Sequence, residues 1–140
     1  ALGLADPTKP TLFNINSEGG EALISLGIAH ELYRVLPNLE TRAVGWCASA
    51  AVTLLQGGHI RSSTPYVSFC THPMKADQKD LTAQTAREFS SQFDQEALHW
   101  FTLMKKRAGK TTRFWTDFFS IERWFDAPEA KRLNLIDQIY

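Results

Sequence analysis

Thr41-Arg42-Ala43-Val44-Gly45-Trp46-Cys47-Ala48-Ser49-Ala50-Ala51-Val52-Thr53-Leu54-Leu55-Gln56-Gly57-Gly58 contains both halves of a strand-to-helix junction. Thr41 to Trp46 reads as a short apolar strand, and Ala50 to Gln56 carries the small and aliphatic residues of a helix that Gly57-Gly58 stops. Ser49 falls at the join. A hydroxyl there stands at the positive end of a helix, beside backbone N–H groups without intrahelical partners, where a developing oxyanion is stabilised. The same position suits a serine that merely caps the helix. The stretch by itself leaves both readings open.

Working upstream, Thr11-Leu12-Phe13-Asn14-Ile15-Asn16 alternates and carries β-formers, which predicts a strand, and Ser17-Glu18-Gly19-Gly20 breaks it. A helix is expected from Glu21, with Ile24, Ile28, Leu32 and Val35 on one face and Pro37 as its stop. Strand, glycine turn, helix and strand make a βαβ unit, so a parallel sheet is expected, with functional groups at the carboxyl ends of its strands. Gly19-Gly20 and Ser49 then share one edge. Ser-Glu-Gly-Gly matches neither a Walker loop nor a dinucleotide fingerprint, and its glutamate would repel a phosphate.

Downstream, Gly57 to Ser63 reads as a connection with turn character. Tyr66-Val67-Ser68-Phe69-Cys70 reads as a third strand that delivers Thr71-His72-Pro73 to the same edge. His72 is therefore a third polar group beside Ser49 and the glycine pair, whereas His30, His59 and His99 read as ordinary surface or loop residues. Asp80 to Lys106 is the longest helical pattern, with Ala86, Phe89, Phe93, Ala97, Trp100 and Met104 on a narrow apolar stripe and Gly109 as its stop. A stripe on so long a helix needs a partner, either its own sheet or another subunit. The remainder is helical around Thr116-Asp117-Phe118-Phe119. It continues through Glu122-Arg123-Trp124-Phe125 to a short helix capped by Asp126 and a last strand, Leu135 to Ile139.

The totals restrict the function class. The chain has 140 residues, fifteen basic residues balance fifteen acidic ones, and hydrophobic residues make up 44%, enough for the core of one domain. With no basic cluster beyond Lys105-Lys106-Arg107, neither nucleic acid nor an anionic membrane is an expected partner. No apolar run is long enough to span a bilayer, and no signal peptide is expected from the opening residues. Cys47 and Cys70 lack metal-ligand spacing. They read as buried thiols in a reducing compartment, with a cross-strand disulfide as the alternative.

Taken together, these motifs resemble the proteolytic subunit of the Clp protease, a serine peptidase family. Ile15-Asn16-Ser17-Glu18-Gly19-Gly20 is similar to that family's Ile-Asn-Ser-Pro-Gly-Gly. Gly45-Trp46-Cys47-Ala48-Ser49-Ala50 is similar to the Gly-Gln-Ala-Ala-Ser-Met around its nucleophile. Pro65 to His72 reproduces its proline-to-histidine spacing, and Asp126-Ala127-Pro128-Glu129-Ala130 with Leu133 to Asp137 resembles its closing motif. The resemblance implies an α/β fold, a crotonase-like spiral of ββα units with a protruding long handle helix, Asp80 to Lys106. It implies one peptidase domain over residues 1–140, without counterparts of the family's axial loops, first helix and first strands.

By the same resemblance Ser49 falls on the nucleophile, His72 on the general base, and Gly20 and Ala50 on the amides of the oxyanion hole. Glu122 falls where the family has its aspartate, and Asp117 is a substitute acid. The extra methylene lengthens the side chain by about 1.5 Å, so the backbone must retreat or the glutamate must fold to reach the histidine. Two further departures are Glu18 in place of the proline, and Pro73-Met74-Lys75-Ala76 after His72 where the family begins its handle. The implied activity is endopeptidase cleavage of unfolded polypeptides through an acyl-enzyme, with no metal or cofactor and with ATP used only by a partner AAA+ unfoldase. The implied assembly is a homo-oligomer, a heptameric ring alone or stacked as a double ring, in the cytoplasm or an organelle stroma or matrix. A catalytically inactive structural subunit of a mixed ring is the alternative. A crotonase-type acyl-CoA enzyme accounts less well for Ser49 with His72, and no lysine suits a Ser-Lys peptidase.

Overall fold

The computed structural model describes Asp6, residues 8–73 and residues 83–140. Its elements run β1 (Thr11–Ser17), α1 (Ala22–Val35), β2 (Leu39–Ala48), α2 (Ala50–Leu55), β3 (Ile60–Ser63), β4 (Ser68–Thr71), α3 (Ala83–Ala108), α4 (Thr112–Phe118), β5 (Arg123–Phe125), α5 (Ala127–Arg132) and β6 (Gln138–Ile139). The architecture is mixed α/β. Its sheet is built on β2, and every pairing is parallel except that of β4 with β5.

β2 is long enough to serve more than one neighbour on the same side. β1 runs along one side of it, from Thr11↔Leu39 to Ser17↔Cys47. On the other side β3 pairs with Glu40 to Ala43, and β4 takes over at Trp46 to Ala48. The expected βαβ unit is thus present, and β1, β2 and β4 all end toward the same edge. β3 departs from the sequence reading, which made it a turn-like connection. Its buried residues are Arg61, Ser62 and Ser63, polar side chains that hide a strand from any hydropathy pattern.

Arg61 and Ser62 are buried with partners, Ser62 Oγ bonding to the Glu40 carboxylate at 2.5 Å. Arg61 is 4% exposed. It donates to the Asp137 carboxylate at 2.6 and 3.1 Å, to Gln56 Oε1 at 2.8 Å, and to the carbonyls of Arg107 and Asn134 at 3.1 and 2.9 Å. Arg107 in turn donates to the Gln56 carbonyl at 3.0 Å and to the Gly58 carbonyl, and its guanidinium lies over the Tyr33 ring. This network ties the end of α3 to α1, α2, β3 and the approach to β6. Burial raises the pKa of Asp137, but hydrogen bonds and charge from Arg61 outweigh it, helped by Arg107, and the net shift is downward.

The main core gathers Cys47, Val52, Leu55, Phe69, Met104, Trp115 and Leu135, with α3, α4 and α5 packed over the sheet. Trp100 and Met104 are buried as the stripe on α3 requires; Ala86, Phe89 and Phe93 lie outside the described side chains, and residues 80–82 outside the described residues. Gly109 follows α3, its N–H bonded to the Lys105 carbonyl. Asp126 caps α5 by accepting from Glu129 N–H at 2.9 Å, as expected. The last strand is shorter than expected. Leu135 and Ile136 enter the core as a turn, and only Gln138–Ile139 pair with β3.

On α1 the expected stripe is buried at its carboxyl end, where Leu32 and Val35 join Leu36 and Leu39, and not at its amino end. Ser25, Ala29 and Leu32 are inside, whereas Ile24 is 62% and Ile28 40% exposed. The reason is a close approach. A Cβ added at Gly57 would stand 2.9 Å from the Ala29 Cα, so α1 lies almost backbone to backbone on the end of α2. Only small side chains fit that seam, and the isoleucines are turned away from it.

Candidate active site

β2 ends at Ala48 and α2 begins at Ala50, so the whole reversal of direction falls on Ser49. Its backbone takes φ 54° and ψ −123°, a conformation costly for a side chain with a Cβ. The amide donates to the Cys70 carbonyl at 2.8 Å, which pins the turn to β4. The hydroxyl makes no capping hydrogen bond. A serine kept for capping would be extended and bonded to the helix amides. This one is strained and its side chain bonds none of those amides, Val52 N–H going instead to the Ser49 carbonyl at 3.0 Å, as in the sharp strand-to-helix turn that displays a nucleophile.

The glycine turn packs against that residue. Gly19 has φ +117° and Gly20 φ +153°. A Cβ added at Gly19 would meet Ser49 Cβ at 2.7 Å, the Ala48 carbonyl oxygen at 2.9 Å and the Ala50 nitrogen at 3.1 Å. No other residue type fits there, in space or in dihedral. Ser17 Oγ accepts from Gly19 N–H at 3.1 Å and fixes the loop. Ala50, the first residue of α2, has no intrahelical acceptor for its N–H, and Gly20 N–H makes no backbone hydrogen bond among the described residues. Gly19 is Ser49's immediate neighbour in space, so the glycine turn and the serine lie at one edge.

His72 leaves the sheet just beyond Thr71, on the edge where Ala48 pairs Cys70. It is half-buried, and its Nδ1 faces the Pro73 carbonyl oxygen at 2.6 Å. A carbonyl can only accept, so Nδ1 is the donor here, and in the neutral ring the lone pair is on Nε2. That is the tautomer a general base needs.

The antiparallel ladder between β4 and β5 ends at Thr71↔Arg123, and His72 and Glu122 are the residues just beyond that last pair. Glu122 is exposed, and its Oε1 accepts from the Trp124 indole N–H at 3.0 Å. In this structure the acid and the imidazole therefore each hold a different partner. Asp117, the substitute acid, sits on the exposed face of α4 and pairs with Arg113 at 3.9 Å. The segment after Pro73 that departs from the expected handle motif lies outside the described residues.

Strand alternation sorts the neighbouring side chains. Phe69 and Phe125 stack at 5.5 Å on the core face, and Trp46, Ser68, Cys70 and Trp124 share the other face. Trp46 and Trp124 meet edge to face at 5.9 Å, 47% and 55% exposed. Glu122, two residues before Trp124, belongs to this face. Sequence reading passed over Trp124; the Glu-x-Trp spacing on a strand was the available signal. Cys47 and Cys70 are buried and unlinked, and burial pushes the Cys47 thiol up, away from nucleophilic use. Among the described residues no group of His, Cys, Asp and Glu is placed to hold a metal ion, and no helix is long and apolar enough to cross a membrane.

A family model described as Clp protease matches residues 1–140. Among curated proteins, the chain is 28% identical over 140 residues to the ATP-dependent Clp protease proteolytic subunit 2 of Corynebacterium efficiens, a match spanning 99% of this chain and 70% of the relative. It is 29% identical over 143 residues to the ATP-dependent Clp protease proteolytic subunit of Cuscuta gronovii, spanning 99% and 71%. The corresponding protein of Cucumis sativus matches at 27% over 146 residues, spanning 99% and 72%.

Proposed function

The chain belongs to the Clp protease family, and from that premise we propose that it is a serine endopeptidase subunit that cleaves unfolded polypeptides through an acyl-enzyme. One observation carries the reading: Ser49 is strained, uncapped and packed against Gly19, with the Ala50 amide beside it. In the proposed reaction His72 Nε2 takes the hydroxyl proton as Ser49 Oγ attacks the scissile carbonyl. The Gly20 and Ala50 amides hold the charge of the tetrahedral intermediate, and the imidazolium returns the proton to the leaving amine. Water then repeats the sequence on the acyl-serine. Glu122 stabilises the imidazolium once it turns to His72. No metal or cofactor is required by this scheme.

In the same reading residues 1–140 form one peptidase domain of spiral ββα type, and α3 is the handle that meets another subunit. The assembly is a homo-oligomeric ring, heptameric and open to stacking as a double ring. A AAA+ unfoldase, consuming the ATP, feeds it polypeptide in the cytoplasm or an organelle matrix. The test is cleavage of a fluorogenic peptide by the purified chain: Ser49→Ala abolishes it and leaves the assembly unchanged. Full activity in that variant removes Ser49 from the mechanism.

A second reading, an inactive structural subunit of a mixed ring, draws on the separate partners that His72 and Glu122 hold here. It predicts no turnover alone, and no loss when Ser49→Ala replaces the native chain in a reconstituted mixed ring.

A further inference from the structure

We propose that Trp124 is a positioning residue for Glu122, its indole N–H holding one carboxylate oxygen so that the other is presented to His72. This rests on the triad reading above and adds to it a part that a phenylalanine at the same place could not supply. His72 and Glu122 are the residues just beyond Thr71↔Arg123, the last pair of the antiparallel β4–β5 ladder. A glutamate is about 1.5 Å longer than an aspartate and, being exposed, samples many rotamers. A second anchor is what such a side chain lacks. Trp124 provides it from two residues along the same face, through Nε1 to Oε1 at 3.0 Å. Oε2 keeps its lone pairs.

The surroundings fit a fixed donor. Trp124 is braced edge to face by Trp46. Arg123, the nearest cation in sequence, is committed elsewhere: its Nε donates to the Phe118 carbonyl at 3.0 Å and its guanidinium lies over the Phe118 ring. His72 Nδ1 now rests on the Pro73 carbonyl, so engagement needs the imidazole to turn its N–H from that oxygen to Oε2.

Trp124→Phe keeps the ring and its contact with Trp46 and deletes only the donor. Losing a charge-assisted hydrogen bond that orients the acid lowers kcat about tenfold, with KM unchanged. In a Glu122→Asp background, where the shorter carboxylate does not reach the indole, Trp124→Phe changes kcat less than about twofold. Wild-type kcat in Trp124→Phe, a rise in kcat, or an equal loss in the aspartate background overturns the proposal. A second arm needs no turnover: in the intact Ser49→Ala chain, the Trp124 indole N–H resonance lies downfield and moves upfield on Glu122→Ala. An unmoved resonance overturns the clamp whatever the activity. A wild-type chain that cleaves no peptide, with the resonance behaving as stated, removes the triad reading and with it the positioning role, leaving a surface contact.

Discussion

Ser49 and Gly19 are a pair in which neither residue makes sense alone. The serine's positive φ is tolerated because β2, β4 and α2 fix both of its ends, and the glycine's missing side chain leaves room for the serine's. Gly19→Ala would force a carbon to within 2.7 Å of Ser49 Cβ and an alanine into φ +117°. The expected outcome is loss of at least about 100-fold in kcat/KM, with a fall in thermal midpoint reporting the strain of about 2 kcal/mol. Near-wild-type kinetics would separate the glycine turn from the site. The Pro73 carbonyl yields a second prediction. Because it already holds the base tautomer of His72, Glu122→Ala should cost only about 10- to 100-fold in kcat, against the roughly 10⁴-fold seen where the acid alone sets the tautomer. At this scale the sequence was informative about where these residues stand in the fold, since glycine pair, serine and histidine each follow a strand. It was silent on the Trp124 hydrogen bond, which depends on a side-chain torsion that no periodicity encodes.

Elements were legible where apolar residues define them and illegible where polar pairs do. β1, β2, α1 and α5 follow from alternation, helical spacing and a capping aspartate. β3 does not, because its buried side chains are Arg61, Ser62 and Ser63, and the partner of Arg61 lies as far along the chain as Asp137. The first half of the α1 face was misjudged for a related reason: close packing on α2 selects Ser25 and Ala29 over the larger Ile24 and Ile28, while Leu32 and Val35 pack inward as expected. The Arg61 network has a measurable consequence. Asp137→Asn leaves a buried guanidinium short of its counter-charge and should destabilise the fold by about 2–3 kcal/mol, read by urea denaturation. Since the folded-state pKa of Asp137 is depressed below the ordinary 3.8, its contribution is complete above that value and is lost as pH falls through the lower folded value. Wild type should therefore lose stability faster than Asp137→Asn on acidification below about pH 4. Parallel curves for the two proteins would assign the stabilisation elsewhere.

The whole molecule is a sheet whose candidate site lies at the edge where β1, β2 and β4 end, with several apolar side chains left facing outward. Leu23, Ile24 and Ile28 on α1 are 43%, 62% and 40% exposed, a grouping that an isolated chain in water does not favour. The ring reading predicts a sedimenting species several times the chain mass; a monomer at micromolar concentration would contradict the assembly while leaving the chemistry of one edge intact. That chemistry is tested most directly by mixing the native chain with a serine-directed phosphonate and weighing the product. The account predicts one adduct per reactive chain, mapped to Ser49, absent in Ser49→Ala and strongly slowed in His72→Ala. An adduct that persists in Ser49→Ala, or none on native chain at any reagent concentration, would contradict it.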